Sequence, residues 1–322
     1  MITKGALTTN GLLKSIKRRA MVPTSQDTFT DDDIIDFMNE EMMIGLVPTI
    51  LQQKDEYLIF QEERPLIANQ AYYPVPERAL YNKLREVSYK LDDQGGTEYE
   101  MSQIAVDDKY TYLINAVENS NWRRFYMEGG DLVLFPKVGD APRGSLMFYY
   151  YMRPNNLVAD NKVAVITGIN RTTGVISFAS TLPSGYSSGD QFDFIKAKSP
   201  HSIIDIDKTA LNTSVSGKTV TFAVGDIPVS LVIGDMVALA GETCIPNVPT
   251  ELHSVLAQRV AQRILEAIGD TQGLTNSQNK LAEMEAKMAI GLDNRVEGAP
   301  RKAVNRHGTL RQKRGITRGG MF

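Results

Sequence analysis

The stretch VPTELHSVLAQRVAQRILEAIG, residues 248–269, decides how the chain is built. Leu252, Val255, Leu256, Val260, Ile264 and Ile268 recur at helical spacing, Thr250 stands where an N-cap would, and Gly269 where a helix stops. A second helix follows from about Leu274 to Leu292, with Leu281, Met284, Met288 and Leu292 on one side and Glu283 four residues before Lys287. Beyond Glu297 the pattern ends. Arg301, Lys302, Arg306, Arg311, Lys313, Arg314 and Arg318 stand among Gly, Thr, Asn and Gln, with no apolar periodicity before Met321 and Phe322. Such a segment cannot offset its ordering entropy by burial, and on its own it is expected to be disordered. These are seven of the 35 Lys and Arg, while all 38 Asp and Glu lie at or before Glu297; residues 1–297 therefore carry 28 cations against 38 anions, a net −10. An acidic body carrying a basic tail suggests an arm that folds onto an acidic or grooved protein surface or onto nucleic acid.

At 322 residues the chain has room for roughly two domains with cores of their own. A hydrophobic fraction of 42% and a charged fraction of 23% are ordinary for globular proteins, and no run approaches the roughly 18 apolar residues of a membrane span. One cysteine, Cys244, excludes an internal disulfide framework and fits a reducing compartment. The first 26 residues contain no acid and set Lys14, Lys17, Arg18 and Arg19 beside Leu12, Leu13 and Ile16. A short basic helix facing partners fits this better than an organelle presequence, because the apolar face is short and no cleavage pattern follows.

Taken in order, Thr30 with Asp33 makes a capping box, and Asp31 to Asp33 place negative charge where the helix dipole favours it. Ile34, Ile35, Phe37, Met38, Met42, Leu46, Ile50 and Leu51 then predict a helix of roughly seven turns, kinked at Pro48. Short strands are expected at Tyr57–Phe60 and Gln70–Val75, and a short helix around Arg78–Arg85. Strands follow at Val87–Leu91, Tyr110–Ile114 and Arg123–Met127; Leu132–Phe135 and Ser145–Arg153 read as a hairpin across the turn-rich Pro136–Gly144. Phe148, Tyr149, Tyr150 and Tyr151 put rings on both faces of their strand, which is expected to be contacted on two sides, one of them by a neighbouring subunit.

From Leu157 to Thr243 the composition shifts to Thr, Ser, Gly and Val. Val175–Ala179, then Gly189-Asp190 and Phe192–Ile195, parallel Thr219–Ala223, then Gly234-Asp235 and Met236–Leu239, a weak duplication that suggests a two-lobed or barrel-like β domain. The fold class is therefore α+β. The expected divisions are a basic segment, 1–29; a helix-plus-sheet part, 30–156; an inserted β domain, 157–243; closing helices, 244–297; and a basic extended arm, 298–322.

No catalytic residue, cofactor site or metal site is expected. His201, His253, His307 and Cys244 have no ligand spacing among them. Gly185-Tyr186-Ser187-Ser188-Gly189 matches a nucleophile elbow formally, but the segment after it reads as strand where the elbow needs a helix. Asp205 and Asp207 could share one face of a strand, which is too few ligands for a good cation site. A body at −10 does not clamp a duplex, which requires a basic face, whereas a weakly repulsive wall suits a conduit that DNA passes through.

Two ends of the chain resemble one family. Ser15–Pro23 leading into Phe29–Ile35 and Gly45–Pro48, then Gly130–Pro136 with Tyr149–Pro154, then Val248–His253 with Arg295–Lys302, resemble in order and spacing the head-to-tail adaptor proteins of tailed bacteriophages. The resemblance implies a non-enzymatic virion protein at the head–tail junction, assembled in the host bacterial cytoplasm. Its partners would be further copies in a ring of about twelve, the portal protein and tail or further neck-ring proteins, with transient non-specific contact to passing DNA and no membrane. It carries a portal-docking role onto the arm, at Arg301, Lys302, Arg306, Arg311, Lys313, Arg314, Arg318, Met321 and Phe322. It carries ring formation onto the helices holding Ile34, Phe37, Met38 and Leu46, and Leu252, Leu256, Val260 and Ile264. The β insertion has no counterpart in the simplest such proteins. An alternative role makes it a module binding carbohydrate or a host surface, with the helices as its anchor.

Overall fold

The computed structural model describes residues 8–22, 28–53, 55–91, 97–108, 124–140, 143–183, 185–198, 202–214 and 218–292. Both ends of this range are helical, and they pack together. Helix α1 (Thr9–Arg19) starts at Thr8, whose hydroxyl accepts the Gly11 N–H. Its Leu12, Leu13 and Ile16 are buried, and the Thr9 N–H and hydroxyl both donate to the Cys244 carbonyl, 235 positions along the chain. Helix α2 (Asp31–Glu40) carries the capping box: the Asp33 N–H donates to the Thr30 hydroxyl, and the Thr30 N–H donates to the Asp33 carboxylate at 2.8 Å. Helix α2 passes into a π-helical run, Glu41–Leu46, and then into α3 (Val47–Gln53). The expected disturbance at Pro48 is therefore spread over the preceding turn. A proline ring clashes with the carbonyl four residues back and cannot donate to it, and a widened turn relieves both conditions.

The closing helices differ from expectation at their starts. Thr250 lies in a 3-10 turn, Thr250–Leu252, and α4 (His253–Ile268) begins after it without a side-chain cap. Gly269 ends α4 at φ +82°, its N–H reaching the Leu265 and Glu266 carbonyls, a conformation in which a side chain is strained. Helix α5 runs Thr271–Gly291, starting three residues earlier than its apolar pattern, and has the Glu283–Lys287 ion pair. The helices share one core.

Between them lie two four-stranded sheets. In chain order the strands are β1 (Ile59–Pro65), β2 (Tyr72–Pro74), β3 (Ala79–Lys90), β4 (Glu98–Glu100), β5 (Ser102–Gln103), β6 (Arg124–Glu128), β7 (Asp131–Phe135) and β8 (Ser145–Met152). One sheet has the order β1-β8-β3-β4 and the other β2-β7-β6-β5, and a common core including Tyr73, Val87, Leu132, Leu134, Phe148 and Tyr150 joins them. Two expectations are corrected here. The segment Arg78–Arg85 is not a helix: from Ala79 it is strand β3, which bulges where Tyr81 and Asn82 take φ +55° and +53° and then runs beside β8 with Val87 opposite Phe148. Pairing to a central buried strand overrides weak local preference. Nor do β7 and β8 form a hairpin. Strand β7 pairs with β6, with Gly129 and Gly130 at the turn, while β8 crosses to the other sheet between β1 and β3. Two strand limits also move: Tyr57 and Leu58 belong to a 3-10 turn ahead of β1, and the strand within Gln70–Val75 spans only Tyr72–Pro74. The strand expected at Tyr110–Ile114 lies outside the described residues.

The inserted all-β part is a closed six-stranded barrel. Its root is β9 (Asn156–Leu157), paired in parallel with β16 (Glu242–Thr243). The barrel strands are β10 (Ala164–Asn170), β11 (Val175–Phe178), β12 (Gln191–Ile195), β13 (Ile203–Ser214), β14 (Thr219–Phe222) and β15 (Met236–Leu239), closed in the order β10-β11-β14-β13-β12-β15. Exchanging β10 with β13, β11 with β14 and β12 with β15 leaves that order unchanged, so the connectivity has a two-fold character. Phe192, Phe194 and Phe222 fill the interior at edge-to-face ring separations of 5.3 to 5.9 Å. The Asn39 side chain of α2 bonds to both the N–H and the carbonyl of Leu157 and so fastens the barrel root to the helical body.

Candidate functional site

Where the barrel meets the sheets there is a cleft of about 760 Å³, lined by consecutive residues Phe60–Arg64 of β1 and Asp205–Lys208 of β13 and by Arg78, Arg153 and Asn155. Asp193 of β12 is fully buried and bonds to four of the residues that line the cleft, Arg78, Asn155, Asp207 and Gly241. Its carboxylate accepts from Arg78 Nη1 and Nη2 at 2.9 and 2.6 Å, from the Asn155 amide at 2.6 Å, from the Gly241 N–H at 3.0 Å and from the Asp207 N–H at 3.1 Å. Burial pushes the Asp193 carboxyl above the usual range, and Arg78, the two backbone N–H groups and Asn155 oppose that shift. With one guanidinium, one side-chain amide and two backbone N–H groups converging on it, this is a mechanical joint between sheet, barrel and barrel root.

The cation-site alternative finds its carboxylates already engaged. Asp205 pairs with Lys208 at 3.2 Å, and Asp207, held at φ +55°, pairs with Arg78 at 3.3 Å. Among the described residues no three of His, Cys, Asp and Glu are grouped so as to hold a metal. Ser187 of the elbow-like loop uses its N–H to bond Asp190, and β12 follows the loop. Tyr186 is buried with its hydroxyl 3.0 Å from the Lys162 and Val237 carbonyls. Burial pushes the Cys244 thiol up to about 12, and buried His253 has Nε2 3.3 Å from the Val248 carbonyl. His201 and His307 lie outside the described residues, as do all nine positions of the proposed arm.

Of the residues assigned to ring-forming helices, Ile34, Met38, Leu46, Leu252, Leu256, Val260 and Ile264 sit in the chain's own core. Packed there, they hold the helices in place. Phe37 is half-buried, edge-on to Phe29, with the Arg263 guanidinium 4.9 Å from its ring centre. Outward, these helices offer among other groups Ile44, 70% exposed, Ile268, 50% exposed, and the ion pairs of Arg263 with Glu40 and Glu41. A smaller apolar groove of about 250 Å³, lined by Leu252, Val255, Met284, Met288 and Leu292, lies between α4 and α5. The Arg78–Asp193 joint was invisible in the sequence. Its partners stand 115 positions apart, and nothing local marks either one.

A helical body closed by both ends of the described range, a two-sheet middle and an inserted barrel fastened to it by one buried ion pair make up the described part of the chain. Residues 8–169, half of the chain, match the SU10 adaptor protein family. The chain belongs to that family, which supports a structural adaptor role in a phage. The matched part holds α1 to α3 and both sheets and ends at the first barrel strand. No curated protein matches the chain. Among the described residues no helix is long and apolar enough to cross a membrane.

Proposed function

We propose that the chain forms a ring at the head–tail junction, between the portal and the tail, and lines part of the DNA path. Membership of an adaptor family is the observation that carries this reading. The charge distribution supports it: residues 1–297 at −10 suit a wall that does not retain DNA, and the seven cations after Glu297 suit an arm that engages a neighbour. The proposed ring has about twelve copies and uses the outer faces of α2 to α4, while the arm reaches the portal. In this role the protein supplies contacts and no catalysis.

The test is native mass spectrometry of the full-length chain with and without a candidate portal ring, repeated on a chain lacking residues 301–322. A cyclic assembly that tightens with the portal, and loses that response when the arm is removed, is the expected result. A monomer indifferent to the portal would overturn the reading.

A further inference from the structure

Strand β1 is the outermost strand of its sheet, paired with β8 on one side only. Consecutive residues Phe60–Arg64 line the cleft, as a strand edge does; a strand face would offer every second residue. One bond fixes which main-chain groups lie on that edge. The Leu66 N–H donates to the Gly144 carbonyl at 3.2 Å, one step past the Pro65–Ser145 pair of an unbroken antiparallel register. Bonded and non-bonded pairs alternate along such a ladder. Phe60, Glu62 and Arg64 therefore direct their N–H and C=O groups to β8, while Ile59, Gln61 and Glu63 direct theirs away from the sheet. Among the described residues no hydrogen bond reaches these outward groups.

The side chains around the cleft are already engaged. Glu62 pairs with Arg64, Glu63 with Lys90, Asp205 with Lys208, and Arg78 with Asp193 and Asp207. Of the charged lining only Glu77 and Arg153 lack an ion pair among the described residues, and their charges cancel. The facing stretch of β13 offers no second edge at Asp207, which sits at φ +55° and gives its N–H to Asp193. Little is left to grip a small charged ligand. What the cleft leaves unsatisfied is main chain, and with about 760 Å³ between β1 and the barrel wall it has no room for the edge of a second sheet with its packed faces.

We propose that the outer edge of β1 is a docking site for an extended segment of a different protein, which adds to the sheet as its fifth strand. A row of alternating outward N–H and C=O groups is matched in full only by another extended backbone. At about 3.3 Å per residue the stretch from Ile59 to Glu63 takes roughly five residues. Every strand among the described residues already lies in one of the chain's own sheets or its barrel, so the segment is supplied from outside. It needs a free N–H at each position facing β1, which excludes proline there, and no net charge where it passes Glu77 and Arg153. Such docking is independent of ring formation.

The test uses the full-length chain and a displayed library of random linear peptides. Retained peptides are synthesised and titrated against wild type, Gln61→Ala and Gln61→Pro, and amide hydrogen exchange is followed across β1. Proline at position 61 removes an outward donor and leaves the bonds to β8 intact, whereas alanine keeps the donor. Affinity should fall about tenfold or more in Gln61→Pro and hardly change in Gln61→Ala. Exchange at Gln61 and Glu63 should be fast in the free chain and slow with peptide bound. A library that yields no binder, or peptides that bind Gln61→Pro as tightly as wild type, would sink the inference. Should Gln61→Pro melt early, exchange in wild type decides alone: rates at Gln61 and Glu63 that peptide leaves unchanged, or that are slow before any peptide is added, count against an open edge.

Discussion

Arg78 and Asp193 show how much one pair can hold. Asp193 is fully buried and Arg78 is 15% exposed, so removing the guanidinium leaves a charge without its main partner in a dry site. Arg78→Met is expected to cost about 3–5 kcal/mol at pH 7. The direction of its pH dependence follows from burial. The Asp193 carboxyl already lies above the usual range, and without Arg78 it rises further, so the folded variant keeps a proton that the unfolded chain releases. The penalty should therefore shrink as pH falls from 7 toward the ordinary carboxylate range. Urea unfolding of variant and wild type at pH 7 and pH 5 checks this; a difference that stays constant or widens at pH 5 would contradict it. At this scale the sequence disclosed only near neighbours. Thr30 with Asp33 and Glu283 with Lys287 are legible because a helix turn fixes their separation, whereas Arg78 and Asp193 meet only because two domains do.

Among the elements, α2 and its π-helical continuation depend most visibly on local sequence. Thr30→Ala removes the hydroxyl that accepts the Asp33 N–H and is expected to destabilise the protein by about 1 kcal/mol. The Thr30 hydroxyl, which also donates to the Asp33 carboxylate at 2.7 Å, and the Thr30 N–H hold that carboxyl below its usual range, so the hydroxyl's bond to the carboxylate contributes at neutral pH and is lost as pH falls through the carboxylate range. Thermal melts should accordingly separate Thr30→Ala from wild type more at pH 7 than at pH 3; equal separation would show that the hydroxyl's bond to the carboxylate does not matter. Helices with long apolar faces were legible in type, and their ends shifted by a few residues, as at Thr271 and His253. Strands were less so. β3 looked helical because Arg78–Arg85 has little alternation of its own and takes its shape from β8, and adjacency in sequence suggested a β7–β8 hairpin where the two strands belong to different sheets.

For the whole molecule, the division of charge gives the next test. Residues 301–322 supply seven cations and no recurring apolar positions, so deleting them should leave the cooperative thermal transition of the remaining chain coincident with wild type. Loss of cooperativity would show that the segment belongs to the core. By itself the sequence determined the α+β class, the helices that flank the sheets and barrel, the β insertion and the charge contrast between residues 1–297 and those that follow. Each follows from composition or periodicity, which are sums over local preferences. Tertiary structure alone decided the assignment of strands to two sheets, the order that closes the barrel, the Arg78–Asp193 joint and the exposure of Val229 beside buried Leu231. These depend on contacts between residues far apart in the chain. Two residues of the same apolar type read alike in sequence, and only the packed fold determines which faces the core and which faces water.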